Sequence, residues 1–347
     1  MSDWLIYGSN GYTGKLIVAE ALRQGLKPVL AGRNREAVEA QAREAGLEAR
    51  AFGLDDAAAV ARGFGGMRLV LNCAGPFSQT AVPVLEACLA QRAHYLDITG
   101  EIDVFALCHR AHDRAREAGI VVAPGTGFDV VPTDCTAAML KEKLPDATHL
   151  VLAFEAGGGP SPGTAKTSVE GLARGGRARI DGKVVEVPLA WKSRTFDRDG
   201  EARTAMTIPW GDVYTAYVST GIPNVETYMA VPPSTVARVR RLRWFKPLLG
   251  LGFVQSFMKK RIDTSTPGPS AAKREKTDCR VWGEVRNARG DTATLSLAAP
   301  NGYALTATAS VGMVRAALEG GRPGGYYTPS MLMGARYVLS LPGVNLV

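Results

Sequence analysis

The chain has 347 residues, with 41 Lys plus Arg against 33 Asp plus Glu and a formal net charge of +8. That length predicts two domains at about 100–200 residues each. A composition of 46% hydrophobic and 21% charged residues excludes a mainly disordered chain. The surplus positive charge leaves nucleic acid, an anionic membrane and an acidic ligand open. The five cysteines (Cys73, Cys88, Cys108, Cys135, Cys279) contain no C-x-x-C, which argues against a disulfide framework or a zinc site and predicts a cytoplasmic setting. Met1-Ser2-Asp3 runs straight into an apolar strand, so no leader is expected. No uninterrupted apolar stretch of about 18 residues occurs, so no membrane span is expected either.

Short apolar runs alternate with helical patterns over the first part of the chain. Strands are predicted at Trp4–Gly8, Pro28–Ala31, Ala49–Phe52, Arg68–Cys73, Tyr95–Ile98 and Ile120–Ala123. Helices are predicted between them at Tyr12–Gln24, Arg35–Ala45, Asp56–Arg62, Thr80–Gln91 and Glu101–Ala118, with another at Pro132–Leu144. This alternation reads as α/β: a Rossmann-type doubly wound parallel sheet over residues 1–145. Beyond it, more polar strands (His149–Ala156, Trp191–Phe196, Asp278–Val285, Asp291–Leu297) predict a second α+β lobe with a mixed or antiparallel sheet over 146–325. Asp263–Ser270 reads as a Pro/Ser/Thr-rich loop. Residues 326–347, helical in pattern from Thr328 to Leu341, are expected to pack back on the first domain.

Gly8-Ser9-Asn10-Gly11-Tyr12-Thr13-Gly14 is G-x-x-G-x-x-G between the first strand and the first helix. The first Gly permits the tight turn, the second lets a pyrophosphate reach backbone N–H groups, and the third allows close helix–strand packing. NAD binders carry an acid at the end of the second strand; here stand Gly32-Arg33-Asn34-Arg35. Guanidinium matches a 2′-phosphate, so NADP(H) is expected. Asp55 would border the adenine or, alternatively, cap the following helix. Asn72-Cys73-Ala74-Gly75-Pro76-Phe77 follows the fourth strand and should border the nicotinamide, as should Gly125 after the sixth.

Taken together, GSNGYTG, AGRN, NCAGPF, YLDITGE and GTGFDVVPTD resemble the saccharopine dehydrogenase-like oxidoreductases, with the members related to trans-acting enoyl reductases nearest. The resemblance extends through Gly163–Leu172, Ile208–Ala230 and the late YYTPS. It implies a Rossmann domain, an NADP-type cofactor and a second lobe roofing the nicotinamide. It leaves amino-acid, imine and enoyl chemistry open.

The nicotinamide carries the hydride, so the protein must orient substrate and handle a proton. None of the 10 tyrosines has a lysine four residues later, which excludes the Tyr-x-x-x-Lys apparatus. By position at strand ends the proton-handling candidates are Tyr95, Asp97 and Asp129, joined by Asp212 and Tyr214 from the second lobe. Each has a competing structural use: Tyr95 in sheet packing, Asp97 in holding loop N–H groups, Asp129 as a helix cap. His109 and His112 read as a solvated helix face rather than metal ligands, and Cys73 as a small buried thiol.

Arg238–Arg261 holds eight basic residues, no acid and an apolar middle containing Trp244, Phe245, Leu248, Leu249, Leu251, Phe253, Val254 and Phe257. Pro247 would interrupt any single helix there. Without this segment the chain is neutral, so the surplus is local and nucleic acid is not expected as a partner. The segment suits peripheral membrane or carrier-protein docking, a homodimer contact, or a lid over a greasy substrate. The leading reading is an NADP(H)-dependent oxidoreductase reducing an activated C=C bond of a hydrophobic or acyl small-molecule substrate. Alternatives are C=N amino-acid chemistry and a non-catalytic NADP-binding or membrane-associated scaffold.

Overall fold

A computed structural model describes residues 3–245, 251–265 and 268–347. The chain falls into two compact units, residues 1–131 with 303–334, and 132–302 with 335–347. This grouping departs from cuts at 145 and 325. A long helix late in the chain returns to the first unit, and the last residues go to the second.

The first unit is a parallel sheet. Its strands are β1 (Trp4–Tyr7), β2 (Val29–Gly32), β3 (Ala49–Ala51), β4 (Leu69–Asn72), β5 (His94–Asp97) and β6 (Val121–Ala123), with β15 (Gly325–Tyr326) added at the edge beside β6. The order is β15-β6-β5-β4-β1-β2-β3, every neighbouring pair parallel. All residues of β1, β2 and β4 are buried, as expected where helices cover both faces. Those helices are α1 (Tyr12–Arg23), α2 (Arg35–Ala45), α3 (Ala57–Phe64), α4 (Phe77–Gln91), α5 (Ile102–Arg110) and α6 (His112–Ala118). The single helix expected over Glu101–Ala118 is thus two, parted at Ala111. Strand order reverses at β1 and β4, which opens a crevice at their carboxyl ends.

The second unit is built on a mixed sheet. Helix α7 (Val131–Lys143) precedes β7 (Ala147–Ala156), α8 (Pro162–Arg174), β8 (Gly176–Ile180), β9 (Lys183–Val187), β10 (Ser193–Arg198) and β11 (Glu201–Thr207). There follow α9 (Asp212–Thr220), β12 (Asn224–Ala230), α10 (Pro233–Leu242), α11 (Gly252–Ser265), α12 (Ala271–Glu275), β13 (Asp278–Asn287) and β14 (Thr292–Pro300). The order is β10-β11-β12-β7-β13-β14-β16, with β16 at Asn345–Leu346 and a β8–β9 hairpin attached through β12. Only β12 and β7 run parallel; the other pairs are antiparallel. Val151, Ala153, Ala205, Tyr228 and Trp282 form a core cluster, with Phe196 packed against it. Gly283 on β13 lies under Thr136 and Leu140 of α7, so the missing Cβ sets how closely that helix approaches the sheet.

Two expectations are corrected. Asp263–Ser270 is not loop throughout, because α11 continues to Ser265. Thr328–Leu341 is no continuous helix: α14 (Pro329–Met333) stops at Gly334, whose φ of 92° lies in the left-handed region, and a short 3-10 turn follows at Tyr337–Ser340. Pro247, Leu248 and Leu249 lie outside the described residues.

Candidate functional site

The turn after β1 is shaped by its neighbours as well as its glycines. Gly8 and Ser9 donate their amides to Ala31 O at 2.7 and 3.2 Å, and Gln41 Nε2 donates to Ser9 O at 3.0 Å. Gly8 has a φ of 82°, and a Cβ there would sit 2.8 Å from Ala74 N, so the turn and the loop after β4 touch. A Cβ on Gly14 would run into the Gly8 carbonyl, whereas one on Gly11 would meet only that oxygen at 3.2 Å. Asn10 Oδ1 lies against Gly32, and the Tyr12 ring packs edge-on to Tyr303 at 4.9 Å. Thr13 follows at the start of α1, whose opening has no side-chain cap. Ser9 Oγ is buried with no hydrogen-bond partner among the described residues. Uncapped amides, an exposed Gly11 and an orphaned hydroxyl are the features a pyrophosphate would use.

At the end of β2, Arg33 is exposed and makes no ion pair among the described residues, while Arg35 pairs with Glu39 at 3.2 Å. Asn34 caps α2 by accepting Ala37 N at 3.1 Å. Asp55 does not cap α3; Asp56 does, accepting Ala58 N at 2.8 Å. The Tyr7 hydroxyl donates to Phe52 O at 3.0 Å, and burial pushes it up to about 12. The positive charge of Arg33 opposes that rise and the negative charge of Asp55 reinforces it.

The loop after β4 is held from two sides. Asn72 Oδ1 accepts Ala74 N at 3.1 Å, Asn72 Nδ2 donates to Thr80 Oγ1 at 3.1 Å, and Thr80 Oγ1 donates to Ala74 O at 2.6 Å. Pro76 follows Gly75 through a cis bond and offers no side-chain acceptor to α4. Glu101 takes that part: its two oxygens accept Phe77 N and Ser78 N, each at 2.9 Å. Cys73 beside this loop is half-buried rather than fully buried as expected, and the surrounding protein with the neighbouring Asp97 pushes its thiol up, away from the reactive thiolate.

Beyond β5 and β6 a second network forms. The buried Asp97 carboxylate accepts the Tyr95 hydroxyl at 2.6 Å and the amides of Thr99 and Gly125 at 2.9 Å each. Burial raises it to about 6 even though those hydrogen bonds pull the other way. Burial, reinforced by Asp97, also raises the fully enclosed Tyr95 hydroxyl. Gly125, at φ 76°, lies against Phe105. The loop that follows is tied to α13 (Gly302–Glu319): Phe128 N donates to Thr306 Oγ1 at 2.9 Å, and Ser310 Oγ to Thr126 O at 3.2 Å. Asp129 stands on that loop with its carboxyl against Gly100. It keeps some accessible surface, yet the surrounding protein raises it to about 7.

In the second unit Asp212 is buried at the start of α9 and Tyr214 is half-buried. The Arg179 guanidinium lies 5.6 Å from the Tyr214 ring and 4.2 Å from that of Tyr217. Its Nε donates to Val213 O at 2.8 Å, and Nη1 to Gly182 O. Gly159-Pro160-Ser161-Pro162-Gly163 has the hydrolase spacing G-x-S-x-G, but Ser161 is buried and caps α8, accepting Thr164 N at 3.2 Å. His149, the unit's one histidine, is near the start of β7, whereas Ser161 follows that strand's end. Among the described residues no His/Cys/Asp/Glu group could hold a metal; His112 accepts Tyr326 N at 3.1 Å and His109 stacks on the Tyr326 ring.

Glu101, Thr80, Gln41, Thr306 and Ser310 were not singled out from sequence. Only Glu101 left a signal, since a helix opening on proline needs an acceptor from elsewhere.

Residues 4–122 match the protein family described as Saccharopine dehydrogenase NADP binding domain. The chain is similar to a saccharopine dehydrogenase-like oxidoreductase of Homo sapiens, 26% identical over 43% of this chain and 40% of that one. It is also similar to a Mycobacterium tuberculosis protein named as a trans-acting enoyl reductase, 29% identical over 49% of this chain and 44% of that one. The matched part therefore spans less than half the length of these relatives. Among solved structures, apo saccharopine dehydrogenase (L-Glu forming) of Saccharomyces cerevisiae matches over the full length of both chains, with a TM-score of 0.65 at 13% identity. That likeness concerns the fold.

Proposed function

We propose that this protein is an NADP(H)-dependent oxidoreductase reducing an activated C=C bond of a hydrophobic or acyl substrate, a reading supported by the match of residues 4–122 to the family described as Saccharopine dehydrogenase NADP binding domain. The observation that carries the cofactor part is the pairing of the open Gly8–Gly14 turn with the exposed guanidinium of Arg33, which makes no ion pair among the described residues. Gly8, Ser9, Asn10, Gly11, Tyr12, Thr13 and Gly14 would hold the pyrophosphate. Arg33, with Asn34 and Asp55 beside it, would meet the adenosine end. Asn72, Ala74, Gly75, Pro76, Phe77 and Gly125 would border the nicotinamide.

When bound, the dinucleotide supplies the hydride. The chain's own part is to hold loops and move a proton. Tyr95 bonds to Asp97, and Asp97 in turn to the loop after β6, so the pair acts as an organiser of the rim. Asp129 is the better proton carrier: the residue is only half-buried, and the surrounding protein raises its carboxyl to about 7, where a general acid works best. Asp212 and Tyr214 are the second unit's candidates for the same task.

The enoyl reading is supported by the likeness to the mycobacterial enoyl reductase and by the Tyr-, Pro- and small-residue-rich run Thr207–Ala230. An amino-dicarboxylate would call for several convergent cations instead. The test is nicotinamide oxidation by purified protein with a panel of enoyl thioesters and of imine or keto-acid plus amine pairs. Turnover with enoyl substrates supports the proposal. Turnover confined to the imine set overturns its substrate class, and none with either set favours the non-catalytic reading.

A further inference from the structure

Trp244 is 86% exposed, Phe253 73%, Phe257 65% and Phe245 53%, beside Leu251 at 40%. On α11 the residues Phe253, Phe257, Lys260 and Arg261 recur at helical spacing, so two phenylalanines and two cations line one outward stripe. The other side of α11 faces α8, where Gln255 Nε2 donates to Val169 O at 3.2 Å. A helix that turns polar Gln255 inward and its phenylalanines outward is arranged against the usual core pattern. On α10, Arg238 and Arg241 are exposed. Arg240 and Arg243 are anchored instead: Arg240 Nε donates to Ala190 O at 3.2 Å and Arg243 Nε to Leu189 O at 2.6 Å, tying this stretch to the second unit. The whole run from Arg238 to Arg261 contains no acid.

We propose that this surface docks the protein on an anionic lipid bilayer, with the aromatic side chains entering the interface and the flanking cations facing lipid headgroups. Charge complementarity selects this occupant. An acid-free run carrying the entire net charge of the chain is matched by an anionic surface and would repel a second copy of itself. Trp and Phe among Lys and Arg suit the boundary between headgroups and acyl chains. Among the described residues no helix is long and apolar enough to cross a membrane, so the attachment is peripheral. The proposal stands on the surface alone and is independent of the redox reading.

The test is flotation of purified full-length protein with vesicles of phosphatidylcholine alone or mixed with phosphatidylserine, at low and high salt. Wild type should float with the mixed vesicles, remain behind with neutral ones and be released by salt. The double variant Phe253→Ser/Phe257→Ser should lose on the order of a hundredfold in partitioning. Arg241→Glu/Lys260→Glu should lose at least about tenfold. All four positions are exposed, and unchanged thermal melts would show that the variants fold. Equal flotation of wild type and both variants would overturn the proposal, as would absence of flotation with the mixed vesicles. Concentration-dependent self-association that the Phe variant abolishes, without vesicle binding, would assign the surface to a second copy instead. Retention on nucleic acid without vesicle binding would also overturn it.

Discussion

Replacing Gly11 by valine separates cofactor approach from folding. Gly11 is exposed and its backbone, at φ −70° and ψ 166°, is extended, so a side chain brings no conformational strain. The nearest atom to an added Cβ is Gly8 O at 3.2 Å. Stability should therefore move by no more than about 1 kcal/mol. The branched side chain would instead cover the uncapped amides that open α1. Losing two charge-assisted hydrogen bonds to a pyrophosphate, each about 1.5–3 kcal/mol, weakens binding by about two to four decades at 1.4 kcal/mol per decade. The assay is nicotinamide fluorescence titration with a urea melt on the same sample. Gly14→Val provides the contrast, since its Cβ overlaps the Gly8 carbonyl and the fold itself should fail. Wild-type affinity in Gly11→Val, or a stability loss matching that of Gly14→Val, would refute the reasoning.

Two further outcomes are expected. Glu101→Ala removes the acceptors of Phe77 N and Ser78 N, and should cost about 2–4 kcal/mol in urea unfolding; Glu101→Gln, which keeps one acceptor, should cost less, and no loss in either would show that the α4 amides find other partners. Burial lifts Asp129 from 3.8 to about 7, so the folded state binds more protons than the unfolded chain across that window and stability falls as pH rises through it. Asp129→Asn should flatten that slope and abolish a turnover decline centred near pH 7; an unchanged pH profile would remove Asp129 from proton transfer.

The parallel sheet is legible because its strands are short, mostly apolar and punctuated by Gly-containing turns, as in Trp4–Tyr7 followed by Gly8. In the second unit the signal fades. Strands such as Glu201–Thr207 open on exposed or charged residues, so their hydrophobicity does not mark them, and the β8–β9 hairpin escaped notice. The late strand Gly325–Tyr326 is two residues long and exists only because β6 offers an edge. At the site, the glycine turn and Arg33 follow from local chemistry. The Glu101 carboxylate reaches Phe77 and Ser78 across 24 and 23 residues, and Thr306 reaches Phe128 across 178, which only tertiary packing specifies. Tyr95 and Asp97 attracted attention as polar groups at a strand end; their hydrogen bonding to each other could not be read from the sequence.

The reading of Arg33 as the 2′-phosphate partner is tested most directly by the dissociation constants of NADPH and NADH for wild type and Arg33→Ala. Wild type should prefer NADPH. The alanine variant should lose about ten- to a hundredfold for NADPH, one charge-assisted contact to phosphate, while NADH binding stays within about twofold. Equal losses for both nucleotides, or an unchanged preference, would contradict the account.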